Sequence, residues 1–357
     1  MPPPRRSAVL PLFCLAACVT APSGPWQAAA APAADALFHR DPAWRGGDAA
    51  YSIDLGSTRT LWLFGDSFVA RPGANGRADC AMVRNSIAVQ RGADPVTAAM
   101  TFHWRGTAAA PQSFLPADGA VFLWPLSGLR TADCVTVFCT RVRDTPGEGL
   151  GFRAVGWAAL CLHGVDAAPE QWQVEVLPVP VVPFAAVVGT AVIADGDHVY
   201  AYALREPGDH AVFLLRWPRA RFTAGELGAP EWFDRGRFVP HAELRAAPTP
   251  VLAEGAPEFS VHRDGDSFVM AQSLGFGHTT LALRRAPRPE GPWSAPEVVF
   301  IPPESQRQGV FVYAGKAHPQ LTGNGQLLLT YASNAADFGQ LVADPSLYFP
   351  RFVRLRR

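Results

Sequence analysis

The sequence predicts an all-β fold, a five-bladed β-propeller of four-stranded antiparallel blades, on three observations. Short β-rich runs recur, each split by a tight turn: YSIDLGSTRTLWLFGDS, VFLWPLSGLRTADCVTVFCT, TAVIADGDHVYAYAL, FSVHRDGDSFVMAQS and PQLTGNGQLLLTYAS. Their turn glycines, Gly56, Gly128, Gly196, Gly265 and Gly325, lie 72, 68, 69 and 60 residues apart. No segment sustains a helical period, and 34 prolines and 32 glycines spread along the chain suit many turns better than long helices. Strand, glycine turn, strand is the signature of a hairpin. Five nearly equal units are a structural repeat, and radial closure accommodates them in one body. An array of β-sandwiches is the alternative arrangement.

The elements follow in chain order. MPPPRRSAVLPLFCLAAC places two arginines before a short apolar run, which reads as a signal peptide over residues 1–17 rather than a membrane span. LAAC is similar to a bacterial lipobox, which would make Cys18 the lipidated first residue of the mature chain; cleavage further on is the alternative. Val19 after the cysteine favours the outer membrane where one exists. Residues 18–34 read as a flexible tether and 35–357 as the propeller. Export leaves Cys80, Cys134, Cys139 and Cys161 in an oxidising compartment. If the loop DTPGEGLG turns near residues 147 and 148, Cys134 faces Cys161 across two strands, and Cys80 with Cys139 remains; four free thiols are the alternative. Their spacing is not that of a zinc site. AVFLLRWP (211–218) and TLALRRAP (280–287) are third strands, with outer strands near Trp232 and Trp293. FPRFVRLRR supplies a late strand of blade 5, and the segment around Leu37 to Arg40 helps close the ring.

Formal charge is zero and 48% of residues are hydrophobic. No basic stripe exists to hold phosphates, which argues against a nucleic-acid partner. The first strand of each blade lines the central channel, so residues at its start converge on one face. Counting back from the turns brings Asp48, Asp118, Gly189, Glu258 and His318 to this level. Asp66, in LWLFGDSF, lies on the second strand of blade 1, one step from the position opposite Asp48. Neighbouring carboxylates repel as anions, so one pKa rises while the other stays low. That asymmetry suits glycosidic hydrolysis. Asp48 and Asp66 are thus candidates for base or nucleophile and its partner, with Glu258 approaching from blade 4 as proton donor. Asn85, Asp118, Lys316 and His318 are candidates to hold sugar hydroxyls. Turn-capping, loop and surface roles for these residues remain open at this point.

LWLFGDSF with VRNSIAV, DGAVFLWPLSG, GPWSAPEVVF, and YAGKAHPQL with LLLTYASN resemble the propeller family described as domain of unknown function 4185, from about residue 36 to the end. Part of that family forms glycoside hydrolase family 183, and the resemblance implies endo-D-arabinofuranase-like chemistry with the acidic pair on Asp48 and Asp66. Arabinanase-type propellers carry a carboxylate near the start of blade 3, where this chain reads VVGTAVIADG, so the acid falls to Glu258. The expected protein is exported and lipid-anchored, membrane-associated only through that anchor, a monomer acting on a polysaccharide or oligosaccharide without cofactor or metal. A non-catalytic glycan-binding propeller and an envelope scaffold are the other classes.

Overall fold

Apolar hairpins pair into five antiparallel sheets arranged as the blades of a β-propeller. The structure is a computed structural model that describes residues 26–132, 134–147, 151–275, 277–321 and 326–357. Blade 1 runs outward through Trp44–Gly56, Arg59–Ala70, Ser86–Arg91 and Ala99–His103, and Cys80–Val83 pairs with the far end of its second strand. Blade 2 comprises Val121–Arg130, Cys134–Asp144, Phe152–His163 and Gln173–Leu177. Blade 3 has a fifth strand: Val187–Asp195, His198–Leu204, Val212–Pro218, Glu231–Asp234 and Arg237–Pro240. Blade 4 is Phe259–Asp264, Ser267–Leu274, Thr280–Ala286 and Glu297–Phe300. Each inner strand packs against that of the next blade, and blade 5 returns to blade 1. Second strands such as Arg59–Ala70 are buried on both faces because neighbouring blades cover them. Their sequences are therefore near-continuous apolar runs rather than alternations.

The ring is closed by the first described strand. Gln27–Ala30 pairs antiparallel with Arg351–Arg356, outside Val310–Ala317 and Gln326–Ala335 in blade 5. Residues 27–34, expected within a flexible tether, thus form a blade strand and a short helix, Pro32–Asp35. The segment at Leu37–Arg40 closes the ring by packing. Phe38, on the 3-10 turn Ala36–His39, lies edge-on to Trp62 at 5.2 Å and stacks on Phe352 at 5.3 Å. Cys18 and the signal segment lie outside the described residues, as does Gly325.

One turn assignment is revised. The blade 1 hairpin turns through Ser57 and Thr58, both with positive φ, and those of blades 3 and 4 turn at Gly196 and Gly265, with φ of 53° and 61°. Gly128 is not a turn residue: it sits opposite Val137 within the inner strand, and the blade 2 chain reverses after Arg130. A Cβ at Gly128 would overlap the Thr136 carbonyl, so a packing requirement, not a turn, explains this glycine. Trp293 also lies in the loop before the outer strand Glu297–Phe300 rather than on it.

Cys134 and Cys161 form a disulfide with Cα atoms 5.7 Å apart. The pair is diagonal: Cys134 lies opposite His163, and Cys161 opposite Thr136. Cys80 and Cys139 do not pair. They sit on different blades, Cys80 half-buried and Cys139 enclosed in the core, and both thiols are free.

In four of the five blades the pairing of the inner strand shifts register near its start or middle, at Gly47–Tyr51, Leu126–Ser127, Gly189–Thr190 and Ala314–Gly315. A bulge bends a strand and re-aims its side chains, and bulges gather beside functional sites. Ala49, Ala50 and Ala314 adopt φ of 63°, 56° and 60°, which non-glycine residues hold only where surrounding structure compensates. The bulges of blades 1 and 5 border the carboxylate cluster.

Candidate active site

Asp48 leaves the blade 1 bulge and lies across the second strand against Gly65, where a Cβ would collide with its Oδ1. The glycine of GDS therefore makes room for one aspartate while the residue after it presents another. Asp48 Oδ2 accepts a hydrogen bond from the Tyr313 hydroxyl at 2.6 Å, and Tyr348 also donates to its carboxyl. Burial, then the charges of Asp66 and Glu258, push Asp48 up to about 7; the two phenols oppose the rise. Asp66 is likewise raised by burial, to about 6, against the lowering effect of its donors. Those donors are Trp124, whose Nε1 reaches Oδ1 at 2.9 Å, and Arg84, at 3.3 Å from Oδ2. Arg84 lies over the Phe122 ring and is shared with Asp144 at 2.8 Å.

Glu258, at the start of blade 4, accepts from Lys316 at 2.6 Å. Lys316 is 1% exposed, its ammonium lying over the Tyr51 ring at 4.3 Å and donating to the Ala314 carbonyl at 3.0 Å. Burial lowers its pKa, and Glu258 counters that shift. Asp66 and Glu258 keep 16% and 17% of their side chains open, so a ligand can reach both. The cluster thus combines one carboxyl raised to about neutral pH, Asp48, with Glu258, fixed in an ion pair.

Three other predicted residues are placed elsewhere. Asn85 is buried, donating to the Leu123 carbonyl at 2.9 Å and accepting from the Leu115 amide at 2.7 Å. Its amide is consumed in joining blade 1 to the loop that enters blade 2, and it is not available to a sugar. His318 is 1% exposed, its Nδ1 2.6 Å from Ser52 and its Nε2 2.7 Å from Thr330. Burial, reinforced by Lys316, lowers it to about 3, so the ring is a neutral packing group beside Trp62. Asp118 is exposed on the entry loop and pairs with Arg141 at 3.1 Å, outside the enclosed cluster. Lys316 does enter the site, as the partner of a carboxylate.

The sequence reading missed Tyr313, Tyr348, Trp124 and Arg84. Tyr313 and Lys316 flank the Ala314 bulge, which the strand pattern does not reveal. Tyr348 comes from the loop after a short helix, Phe338–Ala343, and is on no strand itself. Its backbone, at φ 64°, accepts from Gly47 at 2.8 Å and donates to Ser333 at 2.9 Å. A surface cleft of about 390 Å³ lined by residues including Asp234, Arg237 and Pro248 lies at the outer edge of blade 3, away from the carboxyls.

The chain aligns with solved structures, and the first of them shares its fold. A provisionally named hydrolase of Bacteroides ovatus ATCC 8483 aligns with a TM-score of 0.71 at 19% identity, covering 92% of this chain and 90% of that one. Xylan β-1,4-xylosidase of Bacillus halodurans C-125 aligns at 0.49 and 11% identity, over 88% of this chain and 53% of that one. The catalytic domain of the Coprinopsis cinerea GH62 α-L-arabinofuranosidase aligns at 0.47 and 12%, over 88% and 92%. Comparison with curated proteins finds no match. The family profile that matches is not the domain of unknown function 4185 that the short motifs resemble. It spans residues 33–357, and the chain belongs to the family described as Domain of unknown function (DUF5005).

Proposed function

We propose that this propeller hydrolyses glycosidic bonds, with furanosidic, arabinan-like linkages as the substrate class. One observation carries the reading: carboxyls from blades 1 and 4 lie close enough for the Glu258 charge to raise Asp48, and only Glu258 is held by a buried lysine. Asp48 holds its proton to about pH 7, whereas Glu258 is ion-paired with Lys316. Asp48 would protonate the departing glycosidic oxygen, and the Glu258 carboxylate would act on the opposite face of the sugar as base or nucleophile. This exchanges the roles that sequence position suggested for them. Asp66, gripped by Trp124 and Arg84, holds negative charge beside Asp48 and supports its raised pKa. The hydrolase name of the Bacteroides ovatus structure is consistent with the reading, and the likeness to glycoside hydrolase family 183 motifs supports furanosidic linkages.

Purified protein incubated with arabinan, galactan and xylan should release oligosaccharides from the arabinan; binding without release leaves a glycan-binding propeller instead. Azide should restore turnover to Glu258→Ala, since a small anion can replace a lost carboxylate. Restoration of Asp48→Asn but not Glu258→Ala would return proton donation to Glu258. The enzyme would be exported and held by a lipid on Cys18. Labelled palmitate should enter the wild-type chain and not Cys18→Ser, and equal labelling of both would remove the anchor.

A further inference from the structure

Blade 2 carries a second cluster of ligating side chains, remote in sequence from the carboxyl site. Its third strand, Phe152–His163, lies between Cys134–Asp144 and the outer strand Gln173–Leu177. Cys134 stands opposite His163, and Cys161 opposite Glu175. Residues two apart on a strand share a face, so Cys134, Cys161, His163 and Glu175 form a diamond on one surface of the sheet. Cys161 Sγ is 3.7 Å from His163 Nδ1, and His163 Nε2 is 2.8 Å from Glu175. One donor atom from each of Cys161, His163 and Glu175 lies within 4.8 Å of the others.

We propose that reduction of the Cys134–Cys161 disulfide converts this face into a binding site for a thiophilic divalent cation, zinc by chemical class. Tetrahedral zinc has sulfur at about 2.3 Å and nitrogen at about 2.0 Å, which sets adjacent ligands roughly 3.5 Å apart. The Cys161–His163 separation already meets that spacing. The sulfurs are the rigid half, at 8% and 3% exposure. His163 and Glu175, 41% and 58% exposed, form the adjustable half open to solvent. Glu175 either swings in as the oxygen ligand or keeps its bond to Nε2 and orients the imidazole, as carboxylates do beside metal-bound histidines.

The chemistry balances with a thiol or phosphine reductant. Two electrons and two protons cleave the S–S bond and leave two thiols, while the reductant becomes its disulfide or phosphine oxide. The cation then displaces both thiol protons and binds two thiolates with neutral His163. In the oxidised protein neither sulfur has a thiolate to offer, so binding is gated by redox state. Either state ties the second strand of blade 2 to the third, once by a covalent bond and once through the ion.

The test uses the full propeller, Co²⁺ as a spectroscopic probe and Zn²⁺ as competitor. Phosphine-reduced protein should bind one Co²⁺ per chain with a thiolate-to-cobalt charge-transfer band, and Zn²⁺ should abolish the band. Oxidised protein should not show it. His163→Ala should weaken binding by more than the roughly 10- to 100-fold that loss of an outer-shell partner costs, since a direct ligand is removed. The Cys134→Ser/Cys161→Ser variant, which retains Cys80 and Cys139, sets the background. Binding by reduced wild type no greater than that background overturns the proposal. If the double variant does not fold, undiminished binding by His163→Ala, which keeps both thiols, overturns it equally.

Discussion

Asp48→Asn is expected to slow hydrolysis by about 10²- to 10⁴-fold, the range for loss of a positioned acid or base, while making the protein more stable at neutral pH. The carboxyl rises from 3.8 to about 7 on folding, chiefly through burial. A raised folded pKa means that the native state binds more protons than the unfolded chain between those values. Stability associated with Asp48 is therefore complete below about pH 4 and is lost as pH rises toward 7. The shift corresponds to roughly 4 kcal/mol at most. Asparagine removes the ionisation but also weakens the bonds with Tyr313 and Tyr348, so a net gain of about 1–2 kcal/mol at pH 8 is expected. Urea unfolding at pH 4 and pH 8 checks this: the variant's advantage should appear at pH 8 and vanish at pH 4. An equal effect at both values would mean that Asp48 does not titrate as its surroundings imply.

Arg77→Ala should destabilise the fold by about 3–5 kcal/mol, the cost of leaving several buried carbonyls without their charged donor. Arg77 is 6% exposed, and its guanidinium donates to four backbone carbonyls. Those of Arg45, Leu341 and Asp344 lie 2.8, 2.8 and 2.9 Å away, and Leu347 supplies the fourth. It also lies between the Phe68 and Phe349 rings, 5.3 and 5.4 Å from their centres. Arg45 precedes the bulge that aims Asp48, and Leu347 precedes Tyr348. One cation thus fastens together the two segments that meet at the carboxyl. Arg77→Lys should recover only part of the loss, because an ammonium lacks the planar fork. An unfolding free energy for Arg77→Ala in urea within about 1 kcal/mol of wild type would show that water substitutes freely for the guanidinium.

The blades were legible because hairpins write themselves in local signals: apolar runs, Ser57–Thr58 or DGD turns, and even spacing. Asp48 and Glu258 could be brought together because strand starts converge in a propeller; Asp66, on the second strand Arg59–Ala70, and Lys316, near the end of Val310–Ala317, reach them from other levels. The failures have physical causes too. His318 follows the end of the inner strand Val310–Ala317 rather than opening one, and its ring turns toward Ser52 and Thr330. Asn85 looked like a donor for a sugar because a polar residue ends a strand there; only tertiary contacts reveal that two backbone segments use it. Gly128 mimicked a turn because a close-approach glycine and a turn glycine are the same letter. Tyr348 carries no periodic signal at all, since a loop delivers it.

The pairing of Gln27 with Arg356 has a consequence for biosynthesis. Blade 5 lacks its outer edge until the earliest and latest parts of the polypeptide meet. During translation blades 1 to 4 can assemble in sequence while the Gln27–Ala30 segment waits unpaired. Closure is then a contact between distant ends, the slow kind in folding. The two ends of the β-structure emerge side by side on one rim. Joining them by a short peptide and cutting between two blades should yield a permuted ring with the same blades, in which the waiting strand is made moments after its partner.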